Sequence, residues 1–578
     1  MINFKDIVIK CIYDLEIGLS EYEIKELIEI PPNSEMGDFS FPCFKLSKVL
    51  RKAPNIISNE LVNKIDVSNS VFSKVVSVGP YINFYVKNEE FINTVLTEIL
   101  EKDYKFCSSD KNMDKTIVID YSSTNIAKPF HIGHIRSTLI GNSIKNIYKF
   151  LGYNTIGVNH LGDYGTQFGK IIAAYKLWGN YDKINSDPIN QLLKLYVDYN
   201  NLCKTDEKML DIARDYFNKL ENGDEECVRL WNWFKDISLM EFQKVYEKLK
   251  VEFDSYRGEA YHSQFIDDVV KELEEKNLLT ESDGCKIVNL DKYDLPPALI
   301  LKSNSSSTYI TRDIATAITR MKDYSFDKNI YVVAIQQKLH FQQLIAILQE
   351  MGYEWAKDCI HVSFGMVSVK DDVLGTSAKL STREGNVIFL NDVLEKSVER
   401  TLEIINERNP MLENKEDVAK KVGIGAVIFN ELFNTRIKDY AFDWNNVLNF
   451  DGETGPYVQY SVARANSIIS KNDLDSILKS VDKTKLYLYK ANDDEISLIK
   501  AMYKLNDILM EAANKYEPSI LTRYITEIAK LFNKFYNSSP INNQEETIKK
   551  FRLILTYCVK ITMEIGLNIL GIETPEKM

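Results

Sequence analysis

The chain has 578 residues and a formal net charge of −12, with 45% apolar and 27% charged residues. A chain of this length can form roughly three to four domains, and its composition is ordinary for a globular protein. No apolar run reaches the roughly 18 residues of a membrane helix, and the charges within "MINFKDIVIKCIYDLEIG" lead us to expect no secretory signal. The acidic balance alone counts against a nucleic-acid partner. A local basic stripe can still bind a phosphate backbone, so the partners stay open.

The eight cysteines are scattered along the chain and form no Cys-x-x-Cys pair. This pattern argues against a zinc ribbon and against a disulfide framework. We therefore expect buried free thiols in a reducing cytoplasm.

Residues 1–110 are predicted to form a mixed α/β module. Two strand-like runs, residues 71–79 and 81–87, meet at the turn-forming pair Gly79-Pro80. A polar link then leads to a β-branched run at residues 116–123, which is typical of a buried parallel strand.

A helix and another strand follow this run. Apolar residues recur at helical spacing from Ile132 to Leu151, and Gly152 is suited to end the helix. Residues 155–162 then have the pattern of a strand. Strand, loop, helix and strand in this order predict the opening of a doubly wound, Rossmann-like sheet, so the fold class is α/β.

The remaining chain is predicted to contain an insertion and a helical end. Residues 180–285 are charged, helical in period and poor in strands, whereas beyond about residue 390 nearly all of the pattern is helical and amphipathic. Between these regions, strand-like runs return at residues 307–313, 329–337 and 359–369. The predicted domains are 1–110, 111–390 with a helical insertion at about 180–285, a helical connecting region at 391–452, and a helix bundle at 453–578.

The stretch "AKPFHIGHIRS" lies where the first inner strand becomes a helix, a place where backbone N–H groups favour an anion. His131 and His134 share one helix face, Gly133 removes a side chain where a flat ring or a phosphate could approach, and Lys128 adds a cation. A metal site would need further ligands at recognisable spacing. The alternative is that the two histidines have no function at the helix start, but a phosphate site is favoured.

A second cationic stretch, "SAKLSTREGNV" at residues 377–387, follows the last predicted strand. Lys379, Arg383 and two hydroxyl residues could close over a polyphosphate and release it. Taken alone, such a string is also typical of an ordinary solvated loop.

Together, the "HIGH" of residues 131–134 and the "KLSTR" of residues 379–383 resemble the paired motifs of class I aminoacyl-tRNA synthetases. Among these enzymes the chain resembles the arginyl-tRNA synthetases along essentially its whole length. The stretches that carry this resemblance are "DYSSTNIAKPFHIGHIRST", "NHLGDYGTQFG", "YITRDIATAI", "DGETGPYVQYSVAR" and "LGIETPEKM".

The resemblance implies an α/β multidomain protein with an N-terminal tRNA-contact module, a Rossmann-like class I catalytic domain with its helical insertion, and an all-α anticodon-binding bundle. It also implies ATP as substrate, accompanied by Mg²⁺ that no protein site holds. The histidines would stabilise charge on the α-phosphate, and Lys128 and Lys379 would neutralise the departing pyrophosphate. The implied ATP-binding residues are Lys128, His131, Gly133, His134, Lys379 and Ser381.

A pocket for arginine needs a carboxylate with fixed geometry, because a guanidinium is planar and always charged. Tyr309 and Asp313 would share one face if they are helical, although an ordinary helix start also explains them. Asp120, at the end of the first inner strand, is a second carboxylate near this crevice. By resemblance, Asn125 and Gln337 hold the α-carboxylate and α-ammonium ends, and His160 joins the arginine site. Such polar pairing rejects analogues by about 10⁴-fold or more, which makes an editing domain unnecessary.

The flanking domains would contact tRNA by the same resemblance. In the N-terminal module, Tyr81 would stack on a splayed-out base and Asn83 would hydrogen-bond to it, although alternating residues on a strand are often only packed. At the helical end, a basic group adds charge, which on helices is often only a solvated face. The anticodon-side candidates are Tyr457, Gln459, Tyr460 and Arg464, and the basic group is Lys549, Lys550 and Arg552.

The chain departs from the family pattern at four positions. Val462 stands where histidine is usual, Thr124 replaces a proline, and Ala334 lies where glycine is common. Glu384 replaces the lysine of the second motif and makes that loop less cationic. None of these changes removes a group to which we assign catalysis.

These observations predict an arginine–tRNA ligase that acts in the cytoplasm as a monomer, with tRNA(Arg), arginine and ATP as partners. One alternative is a small-molecule nucleotidyltransferase, which shares the His-x-Gly-His chemistry but is generally shorter. The other is a non-enzymatic RNA-binding or sensor protein derived from a synthetase. Such proteins typically lose the phosphate-binding groups, which this chain retains.

Overall fold

The computed structural model describes residues 2–31, 33–369 and 388–578. Twelve strands lie in these residues and form four sheets. In chain order they are β1 Phe39–Pro42, β2 Phe72–Val78, β3 Tyr81–Val86, β4 Thr116–Asp120, β5 Asn154–Val158, β6 Leu279–Ser282, β7 Cys285–Val288, β8 Ala298–Leu301, β9 Lys328–Ala334, β10 Cys359–Phe364, β11 Val367–Val369 and β12 Tyr440–Phe442.

The same residues contain 24 α-helices, which are distributed along both halves of the chain. They are α1 Phe4–Tyr13, α2 Glu21–Leu27, α3 Phe44–Leu50, α4 Pro54–Val62, α5 Asn88–Lys102, α6 Ile135–Phe150, α7 Thr166–Trp178, α8 Tyr181–Ser186, α9 Pro188–Thr205, α10 Lys208–Glu221, α11 Glu225–Leu249, α12 Glu259–Ser263, α13 Ile266–Glu275, α14 Tyr309–Tyr324, α15 Lys338–Glu350, α16 Leu390–Arg408, α17 Lys415–Phe433, α18 Trp444–Val447, α19 Gly455–Ser470, α20 Leu474–Ser480, α21 Asp493–Tyr503, α22 Leu505–Lys515, α23 Ser519–Ser538 and α24 Glu546–Ile569.

The chain divides into two compact units. One unit comprises residues 1–107, 465–506 and 528–562, and the other comprises residues 108–464, 507–527 and 563–578. In the first unit, β1, β3 and β2 form an antiparallel sheet in that order, with Val78 paired to Tyr81 across the turn. The predicted hairpin around Gly79-Pro80 is therefore confirmed.

The second unit is built on a four-stranded parallel sheet with the order β10-β9-β4-β5. Helix α6 connects β4 to β5 on one side, and α15 connects β9 to β10 on the other. The connections leave in opposite directions from β4 and β9, so the carboxyl ends of these two strands form a topological switch point. In doubly wound sheets this is where ligands bind. The predicted Rossmann-like sheet is confirmed.

Helix α6 follows the predicted pattern closely. It starts at Ile135 after a short 3₁₀ turn, Ile132–His134, and ends at Phe150. Gly152 has φ +84°, a left-handed conformation that glycine adopts without strain at a helix end. The helix buries nearly its whole circumference, which fixes the position of its first turn.

Two expectations about the middle of the chain were wrong. The run at residues 307–313 is not a strand, because α14 begins at Tyr309 and buries Ile310, Ile314 and Ala317 at helical spacing. The insertion is helical as far as α13, but β6, β7 and β8 then form a small antiparallel sheet that was not predicted.

Further along, β11 pairs with β12 in parallel, with Val367 opposite Tyr440. After residue 390 the described chain is helical except for β12, as predicted, although the run from residue 497 to 516 is divided into α21 and α22. All eight cysteines lie in the described residues and are free thiols. Six are buried, whereas Cys11 and Cys285 are partly exposed.

Candidate active site

The loop that carries the histidines is held by specific hydrogen bonds after the end of β4. The hydroxyl of Ser137 accepts a hydrogen bond from the backbone N–H of Ser122 at 2.9 Å and donates one to the carbonyl of Val332 in β9 at 2.7 Å. Ser122 and Ala127 have positive φ angles of 70° and 58°. Non-glycine residues keep this backbone conformation only where their surroundings impose it, and such positions cluster at functional sites.

His131 and His134 form a close pair at the start of α6, with their rings tilted by 31°. Their ring centroids are 3.9 Å apart. The Nδ1 of His131 accepts from the N–H of Gly133 at 3.0 Å, and the Nδ1 of His134 accepts from the N–H of His131 at 3.2 Å. A Cβ on Gly133 would lie 2.8 Å from the His131 ring, so glycine is required here by the histidine itself.

Both imidazoles are neutral at physiological pH. Burial lowers the pKa of His131 to about 4. Burial also lowers the pKa of His134 well below its usual value. The nearby charges of His131 and Lys128 lower this pKa further, whereas the hydrogen bond with the His131 backbone raises it. Since Nδ1 of each neutral ring is an acceptor, its hydrogen is on Nε2. The pair therefore offers two N–H donors to a ligand and no net charge.

The second cationic motif, with Lys379, Ser381, Arg383 and Glu384, lies outside the described residues. The chain that follows it contacts the histidine loop directly. Phe389 forms an antiparallel bridge with His131, the N–H of Ile132 donates to the carbonyl of Ile388 at 3.0 Å, and the N–H of Leu390 donates to the carbonyl of Phe130 at 2.9 Å. Residues 388–390 thus lie beside the first motif.

Lys128 is the cation that the structure places beside the histidines. Its ammonium lies 5.6 Å from the centre of the Tyr196 ring, which belongs to the helical insertion. Within the described residues no carboxylate forms an ion pair with it. Its charge therefore remains available to an anionic ligand in this part of the structure.

Asp313 lies on the second turn of α14, partly buried, with one carboxylate oxygen held by a histidine. The distance between its Oδ2 and the Nε2 of His340 is 2.5 Å. Burial raises the pKa of Asp313, but the hydrogen bond and charge of His340, aided by His160 and Arg320, lower it more strongly, so the net pKa lies below the usual value. The carboxylate is ionised, with Oδ1 left for another partner.

Asp120 is the last residue of β4, at the end of the first inner strand as predicted, but other side chains already bind its carboxylate. Its Oδ2 accepts from Arg320 at 2.7 Å, its Oδ1 accepts from Ser123 at 2.8 Å, and it is 5% exposed. The charge of Asp120 is therefore balanced by Arg320, and its part in the arginine site stays a prediction.

Glu259 is the carboxylate that the sequence did not reveal. It begins α12, its side chain is 18% exposed, and its Oε2 lies 3.2 Å from the Nε of Arg312 without hydrogen-bond geometry. Burial raises the pKa of Glu259 to about 7; Arg312 lowers it, and the negative charges of Asp313 and Asp163 raise it. This coupling places Glu259 near Asp313. A "GEAYH" string carries no local pattern that could have identified it.

His160 is buried within electrostatic reach of Asp120 and Asp313, and its ring makes no hydrogen bond to the described residues. Neither of its ring nitrogens has a hydrogen-bond partner among the described residues, and the same is true of Nδ1 of the neighbouring His262, whose ring centroid is 5.6 Å away. Burial is the main cause that lowers the pKa of His160. Buried polar atoms without partners are uncommon in native proteins, and here they indicate a ligand or water.

Three other predicted arginine-site residues lie at the edges of this region. Asn125 bridges to Gly162, where any side chain would overlap its amide. Gln337 is exposed directly after β9. Tyr309 begins α14 and is 69% exposed, with its ring 4.7 Å from the Arg312 guanidinium. It shares the helix with Asp313 as predicted, but it lies on the surface.

The structure separates the predicted tRNA residues into exposed and buried ones. Tyr460 is 41% exposed, and the Arg464 guanidinium lies 4.8 Å from its ring. In the other unit, Tyr81 is partly exposed and packs edge-on against Phe44, with 5.6 Å between ring centroids. Tyr457 is partly buried on α19. Tyr81, Tyr460 and Arg464 are thus each at least partly accessible at the surface of their unit.

Two of these candidates, and one basic residue, are bound by other groups of the protein. Gln459 is fully buried and donates to the carbonyls of Lys421 at 3.0 Å and Glu573 at 2.7 Å. Asn83 is 4% exposed and its amide oxygen accepts from Ser40 at 2.6 Å. Arg552 pairs with the buried Glu495 at 2.7 Å. These contacts hold the three side chains within the fold, and their roles toward tRNA stay predictions.

The departures at Thr124 and Val462 are also buried, and both residues are completely inaccessible. They are therefore changes in packing. In the described ranges no three His, Cys, Asp or Glu side chains are grouped as a metal site would require. No helix in these ranges is both long and apolar enough to cross a membrane.

Three family models match the chain in sequence order. The arginyl tRNA synthetase N-terminal domain matches residues 3–86, the class I (R) tRNA synthetase catalytic domain matches residues 95–444, and the DALR anticodon-binding domain matches residues 458–578. The chain belongs to the arginyl-tRNA synthetase family. The predicted membership and the predicted three-part architecture are confirmed.

Individual relatives agree with these matches. The chain is 51% identical over 578 residues to an arginine–tRNA ligase of Halothermothrix orenii and 48% identical to one of Clostridioides difficile, with complete coverage of both chains in each case. The arginyl-tRNA synthetase structure from Thermus thermophilus has a TM-score of 0.78 at 23% identity, covering 95% of this chain and 96% of that one. The structure from Plasmodium falciparum has a TM-score of 0.80 at 24% identity, covering 95% and 94%. At these identities the two structures support the fold alone.

Proposed function

We propose that this chain, an arginine–tRNA ligase, activates arginine with ATP and transfers it to the 3′ end of tRNA(Arg). The arginine carboxylate attacks the α-phosphorus, which forms arginyl-adenylate and releases pyrophosphate. A ribose hydroxyl of the tRNA then attacks the carbonyl carbon, which releases AMP. The observation that carries this proposal is the neutral, donor-bearing histidine pair at the switch point of the sheet, in a chain about half identical to arginine–tRNA ligases over its whole length.

In the first step, the Nε2–H groups of His131 and His134 donate to the α-phosphate oxygens as negative charge develops there. Fixed neutral donors in a buried site stabilise such charge effectively, because they need no reorganisation. Lys128 meets the outer phosphates, and Lys379 and Ser381 retain the ATP role that the resemblance implies. Mg²⁺ would arrive with the ATP phosphates and supply further charge neutralisation.

In the arginine pocket, Oδ1 of Asp313 and the carboxylate of Glu259 receive the guanidinium. Two carboxylates suit this ligand because it presents five donors in one plane. Asn125, His160 and Gln337 bind the α-carboxylate and α-ammonium ends. Tyr309 covers the pocket from the helix start, and Asp120 contributes indirectly through Arg320.

The Michaelis constant for arginine is expected to depend on pH through Glu259. Because the pKa of Glu259 is about 7 in the free protein, the carboxyl is protonated below that pH and loses its attraction for the guanidinium. The Michaelis constant should therefore rise as pH falls through 7, by up to about tenfold per unit where one proton must be released. Initial-rate measurements from pH 5.5 to 8.5 check this.

Glu259→Gln should raise the Michaelis constant at pH 8 and flatten its pH profile. Glu272→Gln is the matched control, since Glu272 is a carboxylate of α13 that accepts a hydrogen bond from Tyr353 at 2.9 Å. That variant should keep the wild-type profile. An unchanged pH dependence in Glu259→Gln would remove Glu259 from the pocket.

For tRNA, Tyr460 and Arg464 provide an exposed aromatic–guanidinium pair on which an unstacked anticodon-loop base can lie, with Tyr457 beside them on α19. Tyr81 serves the N-terminal module in the same way. We assign residues 1–110 to this tRNA contact, 111–390 to catalysis, 391–452 to the connection and 453–578 to the anticodon. We also propose that the enzyme works as a monomer in the cytoplasm.

The proposed function is tested by ATP–pyrophosphate exchange with arginine, measured with and without tRNA(Arg). We expect exchange to depend on arginine and to require bound tRNA, with lysine inactive as a substrate. Exchange at full rate without tRNA would refute the tRNA requirement. Absence of tRNA binding would favour a small-molecule nucleotidyltransferase, and tRNA binding without AMP release would favour a sensor protein.

A further inference from the structure

A completely buried ion pair lies immediately behind the histidine pair. Arg136 is the second residue of α6, two residues after His134, and its Nε donates to Oε1 of Glu431 in α17 at 2.8 Å. The two side chains are 1% and 0% exposed. Neither residue takes part in the steps described above.

The pair belongs to a larger cluster of hydrogen bonds. Nη1 of Arg136 donates to the carbonyl of Lys438 at 2.8 Å, and the hydroxyl of Tyr440 donates to the second oxygen of Glu431 at 2.6 Å. The guanidinium carbon lies 5.2 Å from the Tyr440 ring and 6.0 Å from the Phe364 ring at the end of β10. Both oxygens of Glu431 are therefore used, and the guanidinium is enclosed by aromatic faces.

Stability alone does not account for such a cluster. Removing two charges from water is costly, and well-packed apolar residues of similar volume are often as stabilising as a buried ion pair. The charged cluster adds a fixed geometry, because a planar, fork-shaped guanidinium donates its hydrogen bonds only in fixed directions. The cluster therefore fixes the relative position of the elements that it joins.

The cluster ties the first turn of α6 to the strand pair that leads toward the second motif. Tyr440 begins β12, and its N–H donates to the carbonyl of Met366 at 3.1 Å just before β11. The N–H of Gly365 donates to the carbonyl of Arg436 at 2.9 Å, and a Cβ on this glycine would lie 2.7 Å from the Lys438 carbonyl carbon. The segment between α17 and β12 is thus packed directly on the chain that runs from β10 into β11.

We propose that Arg136, with Glu431 and Tyr440, is a positioning residue for adenylate formation: it fixes the first turn of α6 against β11 and β12 and so sets the position of His131 and His134. Arg136 touches no reacting group and acts through the histidines. The inference rests on the proposed role of those histidines with ATP. A shift of about 1 Å in such donors can cost about 100-fold in rate.

The test compares Arg136→Lys, Glu431→Gln and the milder Tyr440→Phe in ATP–pyrophosphate exchange with tRNA present. We expect kcat to fall by roughly 10- to 100-fold in Arg136→Lys and less in Tyr440→Phe, while the Michaelis constant for arginine and the affinity for tRNA stay unchanged. Tyr440→Phe removes only one hydroxyl, so it still tests the cluster if Arg136→Lys or Glu431→Gln fails to fold.

Combination with His134→Asn separates positioning from general destabilisation. If Arg136 acts through the histidines, Arg136→Lys will reduce kcat much less in the His134→Asn background than in the wild type. If the effects multiply, or if the Michaelis constant for arginine rises in parallel with the loss of kcat, the inference is overturned. If His134→Asn alone leaves ATP–pyrophosphate exchange unchanged, the proposed role of the histidines in ATP binding is refuted, and with it the inference about Arg136.

Lys145→Gln provides the matched control on the same helix. Lys145 is mostly buried, pairs with Asp254 at 3.1 Å and donates to the Glu252 carbonyl at 2.9 Å. It lies toward the other end of α6 from the histidines. Its loss is expected to lower the melting temperature and leave kcat unchanged, whereas an equal fall in kcat would mean that any weakening of α6 suffices.

Discussion

Asp313→Asn is expected to reduce kcat/KM for arginine on the order of 10²- to 10⁴-fold, because removing one partner of an enclosed charge pair costs about 3–5 kcal/mol. The asparagine side chain keeps the shape of Asp313 and can still meet His340, so the loss reports the missing charge. The Michaelis constant for ATP should change little, since the histidine pair is built from the other side of the switch point. Steady-state aminoacylation with varied arginine and varied ATP measures both.

Asp323→Asn is the matched control for this prediction. Asp323 belongs to the same helix α14 and pairs with Arg257 at 2.7 Å, largely in contact with solvent. Surface pairs contribute about 0–1 kcal/mol, so this variant should use arginine normally. Near-normal use of arginine by Asp313→Asn would instead mean that the guanidinium binds elsewhere. A comparison of arginine with lysine as substrate extends the test to specificity.

The histidine loop and α6 could be predicted from sequence because the relevant information is local. The spacing of Ile132, Leu139, Ile144 and Leu151 defines one helix, and the preceding β-branched run defines one strand. Their order then fixes the switch point through connection rules that hold for any doubly wound sheet. None of these features depends on contacts between residues that are far apart in the sequence.

The errors arose where local composition and tertiary contacts disagree. Serine, threonine, tyrosine and isoleucine at residues 307–313 have the composition of a strand, but Ile310, Ile314 and Ala317 are buried at helical spacing. The strands of the small sheet, β6 to β8, have four residues each, too few for a clear period. Short elements of this kind are decided by their neighbours.

Side-chain roles were hardest to predict where they depend on which groups meet across the fold. Asp120 has the expected position, yet Arg320, far along the chain, neutralises it. Burial raises the pKa of Glu259, and the charges of Asp313 and Asp163, which no sequence pattern links to it, raise it further. From the sequence, Gln459 was a candidate for contact with tRNA. In the structure it is buried, and its amide donates hydrogen bonds to two backbone carbonyls. Burial and partner choice are tertiary properties.

His134 provides the other large expected effect. His134→Asn should lower kcat for ATP–pyrophosphate exchange by about 10²- to 10³-fold, the usual cost of removing one preorganised donor from a site of developing negative charge. The Michaelis constant for arginine should stay close to the wild-type value. Rapid-quench measurement of adenylate formation with tRNA present isolates the chemical step.

Comparison of two amides identifies the atom responsible. Asparagine can place an oxygen near the position of Nδ1 and keep the hydrogen bond from the His131 N–H, but it has no donor at the position of Nε2. Glutamine reaches that position with its NH₂ group and loses the other bond. If the Nε2–H stabilises the α-phosphate, His134→Gln will retain more activity than His134→Asn; the reverse order would show that the loop hydrogen bond matters more than the donor.

The pH dependence distinguishes a neutral donor from a charged one. Because burial holds the pKa of His131 at about 4 and that of His134 well below its usual value, both rings stay neutral as pH falls from 8 to 5.5. At saturating arginine, kcat should therefore show no acid limb near pH 6.5, whereas the Michaelis constant for arginine rises below pH 7 through Glu259. An increase in kcat as pH falls through 6.5 would instead indicate that imidazolium charge, gained on protonation, stabilises the transition state.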